Sequence, residues 1–200
     1  MAKEEALRTL SRPHAKSAFG SGTYARAAIR RVLEMPHPVL ARAASLVDPC
    51  DEKVVALADA LVATMRASPA CVGLAATQIG DPSHLFCMDV TGHKKARTCA
   101  GLVVLANARI VVSSGEIVMR EGCMSVPHLT GNVSRAAEVV VEGREPGTAR
   151  IVRVHADAME ARCLQHEIDH LEGLVFVDRV RDPAADLFAR RSYAPPGGPA

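Results

Sequence analysis

The chain has 200 residues and a formal net charge of +2 at neutral pH. That is long enough for one domain with a real core, and so even a balance of charge points to neither nucleic acid nor a charged membrane surface. Aromatic residues make up 3% of the chain and there is no tryptophan, which leaves little for stacking single-stranded nucleic acid, and no apolar run reaches membrane-spanning length.

Residues 1–27 carry Gly-Ser-Gly at 20–22 and no apolar stripe, and are expected to form a flexible extension. They lack the apolar stretch of a secretory signal, and Glu4 and Glu5 argue against an organelle transit peptide. A cytoplasmic, bacterial setting is therefore expected, with Cys50, Cys71, Cys87, Cys99, Cys123 and Cys163 reduced and mostly serving as small buried hydrophobes.

The first clear helix follows "LVDPCDE". Asp48 is expected to cap it, Pro49 suits its first turn, and Asp51 and Glu52 favour the positive end of its dipole. Val54, Leu57, Ala58, Leu61, Val62 and Met65 form its apolar stripe, and Pro69 ends it. Short β-like runs follow: "HLFCMDV", "GLVVLANARIVV", "GEIVM", "AAEVVVEG" and "ARIVRVHA", separated by turns such as "SSGE" and "GREPGT". A second helix is expected over 158–171, with Gly173 as its stop. The Pro/Gly-rich tail 191–200 is expected to be disordered. The expected class is α+β, a small single domain over 28–190, with mostly antiparallel sheets around a central helix.

That last helix contains "QHEIDHLEG". His166 and His170 are four apart and share one helical face, about 6 Å apart along the axis. This suits two ligands of one metal ion with Glu167 beside them as a base. A catalytic site of this kind usually takes three protein ligands. Downstream, the longer pattern H-E-x-x-H-x-x-G-x-x-H is followed to Gly173 and then fails at Phe176. No glutamate follows Glu172, and Asp178, Asp182 and Asp186 read as solvated surface. The third ligand is therefore sought upstream, where Cys123 in "REGCMSVP" follows a glycine that permits close backbone approach. A bound metal deprotonates such a thiol outright. Gln78 is the single amide in the small apolar segment "VGLAATQIG". Met159 and Cys163 fall on the histidine face and should line an apolar pocket, whereas Leu164, Ile168 and Leu171 form another buried face. Arg162 is read as a solvent-facing charge.

Taken together, "CVGLAATQ", "EGCMS" and "QHEIDH" resemble the three motifs of the peptide deformylases, over about residues 29–179. The resemblance implies that Cys123, His166 and His170 bind a divalent metal, with Glu167 as general acid and base. It implies that Gln78 and the backbone N–H of Met124 stabilise the oxyanion, and that Glu121 and Arg135 brace the cysteine segment. Val72, Gly73, Leu74, Met159 and Cys163 would bind the substrate. The activity implied is removal of the formyl group from the N-terminal methionine of nascent proteins, with release of formate. Iron(II) is the metal implied in the cell; zinc, nickel and cobalt also suit two imidazoles and a thiolate. Nascent formyl-methionyl peptides are the implied partners. A basic run, Arg179, Arg181, Arg190 and Arg191, suggests the ribosome as well, and a monomer is expected.

The chain departs from the family pattern in three places. Cys71 replaces a glycine of the first motif, Thr130 stands where many members carry an arginine near the peptide, and Ala108 stands where proline is common. Two other classes compete with this reading. A metallopeptidase would need the missing downstream ligand, and a non-catalytic peptide binder would have no use for Glu167.

Overall fold

The computed structural model describes residues 27–190. The extension (apart from Ala27) and the tail 191–200 therefore lie outside the described residues.

The apolar run "LFCM" becomes strand β2 (Leu85–Met88), and all four of its residues are buried. Alternate side chains of a strand point to opposite faces, so a strand buried throughout must be covered on both sides. Leu85 and Cys87 face helix α1 (Glu52–Ala67), while Phe86 and Met88 face helix α2 (Ala158–Leu171). The strands beside it are β1 (Gly73–Ala75), β3 (Val103–Ser114), β6 (Glu138–Arg144) and β7 (Ile151–Asp157). They form a five-stranded antiparallel sheet in the order β1-β2-β3-β6-β7. A second sheet, also antiparallel, has the order β4-β5-β8, from β4 (Ile117–Cys123), β5 (Val126–Arg135) and β8 (Leu187–Ala189). The α+β architecture around a central H-E-x-x-H helix is as the sequence implied.

Helix α1 starts three residues later than the sequence suggested. Asp51, not Asp48, is its cap, accepting a bond from the Lys53 N–H at 2.8 Å. Asp48 instead closes the preceding turn by accepting from the Cys50 N–H at 2.9 Å. The helix lays Val54, Ala58, Leu61, Val62 and Met65 against Leu74, Leu85, Cys87 and Val104.

Helix α2 spans the residues expected of it. Its Leu164, Ile168 and Leu171 pack against Phe86, Met88, Leu105, Val141 and Val154 of the large sheet. Gly173 ends it with φ of +76°, and a β-carbon there would come within 2.7 Å of the Arg42 backbone. Left-handed backbone and close approach both demand glycine. The other side of α2 turns toward β4 and β5, and the histidines lie between the two sheets.

Three strands were not legible. β1 is three residues long, β5 contains Pro127, Gly131 and Asn132, and β8 is a short stretch within an apparent loop. Each is held by its neighbours' hydrogen bonds more than by its own composition.

Candidate active site

Two elements bring the metal-ligating types together. Helix α2 presents His166 and His170 on one face. Strand β4 delivers Cys123 at its last position, where a bulge between Gly122 and Cys123 makes Cys123 pair with Val126 instead of continuing the regular register. A bulge re-aims a side chain, and here the Cys123 Sγ lies 3.2 Å from His170 Nε2. One ligand atom from each of Cys123, His166 and His170 lies within 4.8 Å of the others.

The thiol environments single out one cysteine. Burial alone would push the Cys123 thiol up, but His170 and His166 outweigh it and hold it well below 9. Cys71, at the cavity mouth, is pushed up to about 12, first by burial and then by Glu167. Burial also pushes Cys163 well above 9. Of the three cavity thiols, only Cys123 is in a setting that favours thiolate, the ligating form. A soft thiolate and two imidazoles converging on one point fit a divalent transition metal.

The supporting bonds are specific. Glu121, on β4, is 6% exposed. Its Oε2 accepts from His166 Nδ1 at 3.0 Å and from Arg135 Nη2 at 3.0 Å, and its Oε1 accepts from Arg135 Nε at 2.9 Å. With Nδ1 committed, His166 has Nε2 left for a metal. Burial raises the Glu121 carboxyl, yet the bonds from His166 and Arg135 hold it at about 2. Arg135 Nη1 also donates to Asp169 Oδ2 at 2.5 Å, and Arg179 Nη2 donates to Asp169 Oδ1 at 2.6 Å. The expected Glu121–Arg135 pair is thus one part of a larger buried ionic network.

Arg162 is a correction to the sequence reading. It is 4% exposed rather than solvent-facing, and its Nη1 donates to Glu121 Oε1 at 2.6 Å. It stands four residues before His166, one helical turn along the same side, and a carboxylate with an unfilled acceptor lone pair draws it inward.

Gln78 sits on the short turn Ala76–Ile79 after β1. Its Oε1 accepts from the Ala75 N–H at 3.0 Å, which fixes the amide so that Nε2 points at Cys123 Sγ (3.4 Å) and Ser125 Oγ (3.1 Å). Ser125 also donates its N–H to Cys123 Sγ at 3.4 Å. Ser125 and Asp169 were not singled out from the sequence, and Arg162 and Arg179 were given surface roles there. Ser125 and Asp169 lie inside the "EGCMS" and "QHEIDH" motifs and could have been suspected from that alone.

The cavity beside these groups is about 140 Å³. Val72, Gly73, Met159 and Cys163 line it, as do Gln78, Cys123, Met124, His166 and Glu167. Leu74 does not: its side chain is fully buried in the core against α1, because it faces the opposite side of β1 from Gly73. Glu167 is 2% exposed, and burial pushes its carboxyl up to about 7. A carboxyl poised near neutral pH suits general acid–base work.

The family model described as polypeptide deformylase matches residues 29–186. A peptide deformylase of Syntrophobacter fumaroxidans is 39% identical over 164 residues, covering 82% of this chain and 94% of the relative. A crystal structure of a peptide deformylase from Legionella pneumophila is 37% identical with a TM-score of 0.69, covering 76% of this chain and 86% of that one. A class I type b peptide deformylase from Acinetobacter baumannii, solved with Met-Ala-Ser bound, is 28% identical with a TM-score of 0.67, over 77% of this chain and 99% of that one. The family model spans most of the described residues, and the chain belongs to the peptide deformylase family, metal-dependent hydrolases that remove the N-formyl group from the N-terminal methionine of newly made proteins.

Proposed function

We propose that Cys123, His166 and His170 hold one divalent ion, iron(II) in the cell, and that Glu167 carries the protons of deformylation. The observation that carries this reading is the pairing of a buried, near-neutral Glu167 carboxyl with a thiolate–imidazole triad in one cavity. Zinc, nickel or cobalt would also be accepted by the same donor set.

A divalent ion held by Cys123, His166 and His170 would supply Lewis acidity toward water and a carbonyl oxygen. The protein's own groups do the rest. Glu167 accepts the proton of the attacking water and returns it to the leaving amine nitrogen. The Gln78 Nε2, aimed by the bond between its Oε1 and Ala75, and the Met124 N–H meet the charge that grows on the formyl oxygen. Val72, Met159 and Cys163 bury the methionine side chain, and Gly73 gives the peptide close access to Glu167. Formyl is the smallest acyl group, so a small cavity excludes larger ones on size. The Acinetobacter relative was solved with Met-Ala-Ser bound, and the cavity here takes formyl-methionyl peptides.

The catalytic unit is residues 28–190, acting as a cytoplasmic monomer. No helix among the described residues is long and apolar enough to cross a membrane. A ribosome contact through the basic run is narrowed, because Arg179 is bound to Asp169 and Arg190 lies over Gly122. Arg181, paired with Glu116 at 2.7 Å on the surface, and Arg191, outside the described residues, are left for it. The test of the whole reading is metal analysis with formate release from formyl-Met-Ala-Ser. A metallopeptidase would instead cleave internal peptide bonds, and a binding module would bind the peptide and release no formate.

A further inference from the structure

The catalytic cavity shades from buried to exposed residues, and this gradient locates its mouth. Gln78, Cys123, Cys163 and Glu167, at its floor, are buried. Val72, Met124 and Met159 are half-buried, whereas Ala70, Arg120 and Gly122, at its rim, are exposed. The rim therefore has two walls, segment 70–72 on one side and strand β4 on the other. Cys71 is half-buried and stands in the first wall, at the position where the first motif has glycine.

The Cys71 side chain is held in that wall from several directions. Its backbone N–H donates to Ser68 O at 3.2 Å, within the turn that leaves α1. Ala70, just before it, has φ of +58°, a left-handed conformation that a non-glycine residue keeps only where its surroundings hold it. The thiol donates to Gly73 O at 3.0 Å, and the side chain packs on the core cluster that includes Val54, Leu61 and Met65 of α1. A side chain bonded at its tip and packed along its flank presents a fixed wall. Glycine would leave this part of the mouth open.

On the deformylase reading, the formyl carbon reacts at the thiolate–imidazole centre on the floor, and the methionine occupies the cavity above it. One further residue advances an extended chain by about 3.3–3.6 Å, which brings the second residue of the substrate to the rim and past Cys71. We propose that Cys71 is a specificity-determining residue: its fixed thiol narrows the mouth, so that chains with glycine, alanine or serine after formyl-methionine are preferred over chains with leucine or phenylalanine there. This rests on the deformylase reading of the cavity.

The test measures kcat/KM of the metal-loaded full chain for formyl-Met-Xaa-Ser-amide, with Xaa as Gly, Ala, Ser, Leu or Phe. The parent should favour Ala over Phe by roughly 10-fold or more, since a small misfit in a closed space is worth about 10- to 200-fold. Cys71→Gly should bring that ratio to within about 3-fold, Cys71→Ala should fall between the two, and Cys71→Leu should raise it. A purely structural role would scale all the peptides alike, so an unchanged ratio in the Cys71→Gly enzyme would overturn the proposal. A parent that takes Phe as readily as Ala would overturn it too. So would a Cys71→Gly enzyme altered only in its choice between formyl-Met and formyl-Phe at the first residue, which would put the thiol in the methionine pocket. Should Cys71→Gly not fold, Cys71→Ala, which removes the thiol without freeing the backbone, decides by the same ratio. If the parent releases formate from none of the peptides, the deformylase reading itself has failed, and the two failures are told apart.

Discussion

The Glu167 carboxylate lies where a β-carbon of residue 73 would be, so that only glycine fits there; the same β-carbon would also come within 2.8 Å of Cys163 Sγ. The first motif and the H-E-x-x-H helix are thus in contact at the one carboxylate proposed to move protons. Gly73→Ala should displace Glu167 and lower kcat by about 10²-fold, the lower end of what acid–base catalysis supplies, with metal content unchanged. An alanine enzyme of normal kcat would show that the carboxylate has another working position.

Ligands and base should separate cleanly. Cys123→Ala, His166→Ala and His170→Ala should each lose metal and, with it, activity. Glu167→Ala should keep the metal and a folded core but lose about 10²- to 10⁴-fold in formate release. Metal analysis of Cys123→Ala is the decisive measurement: full occupancy would remove that cysteine from the site.

The buried ionic network should be graded in cost. Arg135 serves both Glu121 and Asp169, whereas Arg162 serves Glu121 alone. Arg135→Met takes two bonds from Glu121 and one from Asp169, leaving Glu121 to Arg162 and His166 and Asp169 to Arg179, and should destabilise by about 3–5 kcal/mol. Arg162→Met leaves Glu121 its two bonds from Arg135 and the one from His166, and should cost about 1–3 kcal/mol. Urea unfolding of the two variants gives the order; a larger loss for Arg162→Met would reverse the assigned hierarchy.

Burial raises the Glu167 carboxyl from 4.5 to about 7, and this sets the sign of a pH effect in the metal-free protein. The native state holds this proton more tightly than the unfolded chain does. Its stabilising contribution is present below about pH 4.5, falls as pH rises, and is gone above about pH 7. The full loss is on the order of 3 kcal/mol. Metal-free Glu167→Gln should therefore be more stable than metal-free parent at pH 8 and converge with it near pH 4. Parallel stability curves across that range would contradict the buried, protonated carboxyl.

Periodicity and motif spacing made the two main helices and the histidine face legible. Cys123 was nominated by its glycine and its order relative to the helix, but the bulge that turns it toward His170 depends on β5, whose Pro127 and Gly131 read as loop. Arg162 was misjudged because a charge on a helix is usually solvated, and nothing local reveals that Glu121, 41 positions away, is waiting for it. Leu74 was assigned to the cavity with its neighbours although strand alternation sends it the other way. Arg190 was grouped with a basic run, and only the pairing of β8 with β5 brings it over Gly122.

The donors of the candidate metal centre are placed by bonds between protein groups: Glu121 on His166, Gln78 and Ser125 on Cys123. A centre braced in this way is not assembled by its ion in the manner of a zinc finger. Loading and unloading can then proceed in the folded enzyme, by exchange with the surrounding pool. The ion found in any preparation will record the supply in the growth medium and the chelators met during purification, rather than a choice made during folding. Chelator treatment followed by nickel or cobalt should accordingly return an active enzyme without a refolding step.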